Sequence, residues 1–126
     1  MDYREASRYA ISDVALHKYD IDEVSCGFDF DQSLRGRVVD ISLKGLGIEI
    51  DNLNSIQTQK VKNLDKYLLT IKFGDDTILA GVKSIWSQVL HGNGNMLFKG
   101  GVLIDLISTE DRLTLWGIIE KIRNSL

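Results

Sequence analysis

The apolar residues of this chain change period once, and that change constrains the fold more than any other feature. From Leu34 onward they recur at alternating positions in short runs: LRGRVVDIS, LGIEID, YLLTIKF, TILAGVKSIW and MLFKGGVLIDLI. After Ser108 the spacing lengthens to three, with Leu113, Trp116, Ile119 and Ile122 in one stripe that Leu115 and Ile118 widen. A period of two puts apolar groups on one face of a strand, and a period near 3.6 puts them on one face of a helix. The chain therefore reads as a series of strands followed by one amphipathic helix. Ser108 and Thr109 stand where a cap belongs, Glu110 and Asp111 fill the first turn, and Lys121 and Arg123 suit the C-terminal end.

Turn formers divide the runs. Gly74, Asp75 and Asp76 predict one hairpin, and HGNGN at 91–95 predicts a second. Upstream, Tyr9 to His17 (YAISDVALH) alternates with one slip near Asp13 that a bulge would absorb, which predicts a strand. Residues 18–33, KYDIDEVSCGFDFDQS, scatter aromatics among acidic groups and predict an irregular strand or an extended loop. Residues 52–63, NLNSIQTQKVKN, are polar and predict a loop around the barrel's edge. No proline, repeat or low-complexity tract marks a linker. About six antiparallel strands and a helix pack most simply as a small closed or nearly closed barrel with the helix as its cap. The expected organisation is a single domain over 1–126: a flexible arginine-bearing segment at 1–8, a barrel at about 9–107 and a helix at about 109–125.

Composition narrows the function. With 126 residues, 44% hydrophobic and 26% charged, the chain has the balance of an ordinary soluble domain. Its net charge of −3 argues against affinity for long nucleic acids, which needs many unopposed cations, but not against a small anion in a local basic pocket. The lone cysteine, Cys26, excludes an internal disulfide and a cysteine zinc cluster, fits a reducing compartment, and is expected to be a buried or idle thiol. No run approaches the ~18 apolar residues of a membrane span, and the N-terminus lacks an apolar leader. A cytoplasmic protein without membrane insertion is expected. His17 and His91 are the only histidines and form no metal or nucleophile motif. GxGxxG and the phosphate-loop signature are absent, so no catalytic residue, metal site or cofactor is predicted and the chain does not read as an enzyme. Trp86 and Trp116 fall on apolar faces and are expected in the core. The aromatics do not interleave with Lys or Arg as a single-strand nucleic-acid barrel requires.

The residues that carry chemistry lie in two separated blocks. In REASR, Arg4 and Arg8 are four apart, which puts them on one side of the chain whether it is helical or extended. In DISLKG, Asp40 and Ser42 are two apart and are expected side by side on the barrel's outside, with Ile41 pointing into the core. Gly45 ends the turn Ser42-Leu43-Lys44-Gly45, where the lack of a Cβ lets a ligand approach the amide. Either block alone fits solvated arginines or a plain β-turn. Together they supply what a small guanine-containing phosphodiester needs. Guanidinium forks pair with phosphate oxygens and with guanine O6 and N7, and a carboxylate accepts from guanine N1 and N2, where adenine has no N1 donor. Arg35 and Arg37 share a face that on a regular strand is opposite in phase to Asp40 and Ser42. With Lys44 they are candidates for electrostatic support.

REASR resembles the RxxxR element, and DISLKG the [D/N]xSxxG element, of PilZ domains, the bacterial receptors for cyclic di-GMP. The likeness continues through DISLKGLGIEI as strand, turn and strand, AGVKSIW as the central strand, and FKGGVLIDLISTEDRLTLWGIIEKI as last strand and closing helix. It spans nearly the whole chain. The resemblance implies a mainly β fold, a six-stranded antiparallel barrel capped by a C-terminal α-helix, with cyclic di-GMP held across its outer surface. By that likeness Arg4 and Arg8 clamp phosphates and meet guanine, Asp40 reads a guanine edge, and Ser42 with Gly45 supports phosphate or base. Tyr3 occupies a position where many relatives carry another basic residue, which leaves one ligand or a stacked pair open. The resemblance also implies an unidentified effector protein in motility, secretion or polysaccharide control, signalled to by ligand-induced ordering of residues 1–8. The alternative within the same fold is a protein-interaction module that ignores nucleotide, against which the intact arginine pair counts.

Overall fold

The computed structural model describes residues 9–11, 24–92 and 94–124. In chain order its elements are β1 (Tyr9–Ala10), β2 (Val24–Phe28), β3 (Arg35–Ile41), β4 (Gly45–Leu53), α1 (Ser55–Lys62), β5 (Lys66–Phe73), β6 (Asp76–His91), β7 (Met96–Ile107) and α2 (Thr109–Asn124). All strand pairings are antiparallel. Six strands run in the order β3, β2, β5, β6, β7, β4 and close on themselves through the β3–β4 pairing. A closed ring leaves no long unpaired edge to template aggregation. One edge of β3 carries β4. Its other edge is shared: β2 covers Arg35 to Arg37, and β1 takes over at Asp40 and Ile41. The Ile11 N–H extends that second pairing by donating to the Val39 carbonyl at 2.9 Å.

Alternation builds the interior. β5 buries Tyr67, Leu69, Ile71 and Phe73, β2 buries Val24, Cys26 and Phe28, and β4 buries Leu46, Ile48 and Ile50. The β5–β6 hairpin turns through Gly74 at φ 60°, a conformation that glycine adopts without steric cost. The β6–β7 hairpin closes with the Gly92 N–H donating to the Asn95 carbonyl at 2.9 Å. Both hairpins are where the turn formers predict them.

Helix α2 packs against β6 and β1 and buries Leu115, Ile118, Ile119 and Ile122. At about 1.5–3 kcal/mol per large apolar side chain, these contribute roughly 6–12 kcal/mol before the entropy of ordering them. The helix start is pinned twice: Ser108 Oγ accepts from the Asp111 N–H at 3.1 Å, and Asp111 Oδ2 accepts from the Leu79 N–H at 3.2 Å. The expected stripe is wrong at its beginning, because Leu113 is 61% and Trp116 53% exposed. A spacing of strictly three residues spirals around a helix of 3.6 residues per turn, so Leu113 stands about two and a half turns from Ile122, on the opposite side.

Two other expectations are corrected. Residues 24–28 form a regular strand rather than an irregular one, since the inward set Val24, Cys26 and Phe28 keeps strict alternation within its acidic flanks. The polar stretch after Leu53 is not a loop but helix α1. Asn54 Oδ1 accepts from the Gln57 N–H at 2.8 Å and Gln57 Oε1 from the Asn54 N–H at 3.1 Å, a capping box that satisfies two backbone donors. Only Thr58 and Val61 of that helix are buried, so it carries no apolar period to read. Of the strand expected over Tyr9 to His17, Tyr9–Ala10 form β1, and positions 12–17 lie outside the described residues. Among the described residues no helix is long and apolar enough to cross a membrane.

Candidate functional site

The turn joining β3 to β4 is built around one hydroxyl. Ser42 is fully buried; its Oγ accepts from the Gly45 N–H at 3.0 Å and the Lys44 N–H at 3.2 Å, and donates to the Gly45 carbonyl at 3.2 Å. The Ser42 N–H also donates to that carbonyl at 2.9 Å, and the Lys44 carbonyl accepts from the Ile104 N–H at 2.7 Å, tying the turn to β7. Ser42 therefore does not stand beside Asp40 on the outer face, as its spacing predicts. The strand ends at Ile41, and the hydroxyl folds back to satisfy the amides that the turn leaves unpaired. Gly45 is buried against β7, where an added Cβ would sit 2.6 Å from the Val102 carbonyl oxygen, so its role is close packing of the turn.

The second correction concerns phase. β3 contains a bulge: Val38 faces Ile48 and Asp40 faces Gly47, leaving Val39 extra. The extra residue shifts alternation by one, so Val38 and Ile41 both point inward while Arg35, Arg37 and Asp40 share the outer face. A regular strand would have placed the arginines opposite Asp40. Arg37 is engaged with its neighbours, 3.3 Å from Glu49 and 3.5 Å from Asp51, and Lys99 lies 3.9 Å from the same Glu49. Such exposed pairs contribute under about 1 kcal/mol each, but they fix where the charges stand. Arg35 sits two residues further along, opposite Gly27 of β2. Lys44 is half-buried on the turn. Arg4 and Arg8 lie outside the described residues, and so does His17; Tyr9, next in sequence after Arg8, pairs with Ile41 beside Asp40.

Gly47 and Gly101, which no motif marks, and Trp86, expected in the core, complete the face. Asp40 is opposite Gly47, Gly47 is opposite Gly101, and Gly101 is opposite Trp86, so the four lie in one row across β3, β4, β7 and β6. A Cβ on Gly47 would sit 2.5 Å from Asp40 Oδ2, which means that the carboxylate lies over the glycine. A Cβ on Gly101 would overlap the Trp86 indole, so the ring lies over that glycine in turn. Trp86 is 45% exposed, not in the core; a bulge between Ser84 and Trp86 brings its side chain to the outside. The row spans three strand spacings, roughly 14 Å. The carboxylate lies over one glycine and the indole over the other, so an acceptor and an aromatic ring stand side by side on the outer face. That arrangement suits a flat heterocycle with hydrogen-bond donors on one edge. Glycine inside a strand marks a close approach, and that was the available signal for Gly47 and Gly101.

A closed six-stranded antiparallel barrel with a C-terminal helix packed against it belongs to the class of small helix-capped β-barrels. Within that class the fold is the PilZ fold. The PilZ domain of YcgR from Escherichia coli, solved with c-di-GMP, superposes with a TM-score of 0.69 at 17% identity, over 98% of this chain and 93% of that one. The PlzA protein of Borreliella burgdorferi, in complex with c-di-GMP, superposes with a TM-score of 0.59 at 10% identity, over 90% of this chain and 50% of that one. No family model and no curated protein matches the sequence.

Proposed function

We propose that this chain is a receptor for cyclic di-GMP and binds it on the outer face of the barrel. The observation that carries this reading is the Asp40 carboxylate and the Trp86 indole laid side by side over Gly47 and Gly101. One guanine stacks on the indole with its N1 and N2 donors toward Asp40. Arg4 and Arg8 reach the phosphates and the guanine O6 and N7 edge from the segment that enters β1. Ser42 and Gly45 hold the turn that positions Asp40, and Arg37 stands near enough to lend positive potential. The likeness of the barrel to two proteins solved with this nucleotide supports the choice of ligand. The action is binding rather than catalysis. The output is a partner protein that reads residues 1–8 once the arginines have engaged the nucleotide.

Calorimetric titration of cyclic di-GMP into the wild type, Arg8→Ala, Asp40→Ala and Trp86→Ala tests the site, with GMP and cyclic di-AMP as controls. Loss of a charge-assisted hydrogen bond of about 1.5–3 kcal/mol weakens binding roughly tenfold to a hundredfold in the first two variants. Loss of a stacked ring of about 1–3 kcal/mol weakens it roughly fivefold to a hundredfold in the third. No heat with the wild type would overturn the reading in favour of an interaction module that ignores nucleotide. Hydrogen exchange of residues 1–8 tests the output step: protection that is equal with and without cyclic di-GMP would refute it.

A further inference from the structure

A concave surface lies on the opposite flank of β3 from the row of Asp40 and Trp86. It is a groove of about 330 Å³ over β2, β5 and β6, at the low end of the sizes that hold small ligands. Strand register sets its content. Arg35 is opposite Gly27, Gly27 opposite Thr70, and Thr70 opposite Leu79, again a row of about 14 Å across four strands. Gly27 forms its floor, since a Cβ there would meet nothing within 4 Å and would project into open space. Two exposed cations border Gly27, Arg35 beside it on β3 and Lys72 diagonally across on β5, and neither is in an ion pair among the described residues. Past Thr70 stand the exposed side chains of Leu68 on β5 and Leu79 on β6. The apolar end continues, because Leu68 is opposite Gly81 and Leu106 lies over Gly81 at 3.2 Å from where its Cβ would be. The one carboxylate in the lining, Asp29, is turned to the backbone and accepts from the Leu68 N–H at 3.0 Å.

We infer that this groove binds an organic anion with an elongated apolar body. The acidic head lies over Gly27 between Arg35 and Lys72, and the body runs past Thr70 along Leu68 and Leu79. Charge complementarity argues for this occupant: the chain as a whole is acidic, yet here two cations without ion-pair partners among the described residues border a glycine with no side chain, next to an apolar strip. A neutral chain would forgo the cations, and an inorganic anion would forgo the strip. The inference stands apart from the cyclic di-GMP reading, because it uses none of Asp40, Gly47, Gly101 or Trp86.

The test is a nuclear magnetic resonance titration of the full chain with decanoate and with decyl phosphate, both below their micelle thresholds, and with decanol as the neutral control. Saturable shifts centred on Gly27, Thr70, Lys72 and Leu79 are expected, and the tighter of the two anions identifies the head group. The double variant Arg35→Gln, Lys72→Gln weakens anion binding by about a hundredfold or more, the loss of two charge-assisted contacts at about tenfold or more each. Gly27→Leu fills the floor without a clash in the fold and abolishes binding, whereas Asp40→Ala leaves it unchanged. Absence of saturable shifts, equal binding of decanol, or undiminished binding by Gly27→Leu would each overturn the inference.

Discussion

Replacing Ser42 by Ala tests whether that residue belongs to the turn rather than to the ligand. The substitution removes the acceptor for the Gly45 and Lys44 amides and the donor to the Gly45 carbonyl, while the Ser42 N–H to Gly45 carbonyl bond at 2.9 Å remains. The Gly45 amide is buried and finds no replacement, which costs about 1–3 kcal/mol. The half-buried Lys44 amide can turn to water and costs about 0.5–1 kcal/mol. The sum is roughly 1.5–4 kcal/mol. For a chain of this length, 1 kcal/mol moves the melting temperature by about 4 °C, so Tm falls about 6–16 °C. Circular dichroism melts and urea unfolding measure the loss, and amide exchange at Gly45 locates it. A fall of less than about 3 °C with Gly45 exchange unchanged would refute the argument. In that event Ser42 would be available to a ligand after all.

Three further outcomes are expected. Gly47→Ala forces the Asp40 carboxylate aside, so it lowers Tm by about 4 °C, the roughly 1 kcal/mol of a displaced rotamer, in the wild type but not in Asp40→Ala; a double-mutant cycle by thermal unfolding reads the coupling. Asn54→Ala breaks the capping box of α1 and costs about 1 kcal/mol, measured by urea unfolding. Burial, with the nearby Cys26 adding to it, pushes the Tyr67 phenol above its ordinary range, so the folded form holds its proton more tightly than the unfolded chain. The stability this contributes is whole below about pH 10 and is lost as pH rises through the folded value. The urea midpoint of Tyr67→Phe therefore falls less than that of the wild type on going from about pH 9 to about pH 11.

Most of the barrel is legible in the sequence because half-buried strands print their faces as alternation, and the runs from Leu34 to Ile107 do so openly. Val24, Cys26 and Phe28 print it too, but five residues between acidic flanks are too few to stand out. Helix α1 is invisible to periodicity and legible only through its cap, Asn54 with Gln57 three residues on. The site is harder, because phase depends on the count of residues between two points and one bulge reverses it. Val39 reverses it for Arg35 and Arg37, and the irregularity before Trp86 puts the indole outside. The buried hydroxyl of Ser42 was misplaced for a related reason: alternation was carried past the end of the strand into a turn, where it no longer applies. Gly47 and Gly101 have no side chain to attract notice, yet it is their bareness that shapes the face.

The bulge at Val39 also divides β3 into two halves whose outward faces are set independently. Removing that residue would leave Asp40 opposite Gly47 and keep Val38 and Ile41 inward, so the interior would not register the change. What would be lost is the carbonyl that receives the Ile11 amide. The same extra residue is thus a mooring for the stretch of chain that follows Arg8. A length change of one at this point would be silent to the core and felt at the end of the molecule that carries the arginines.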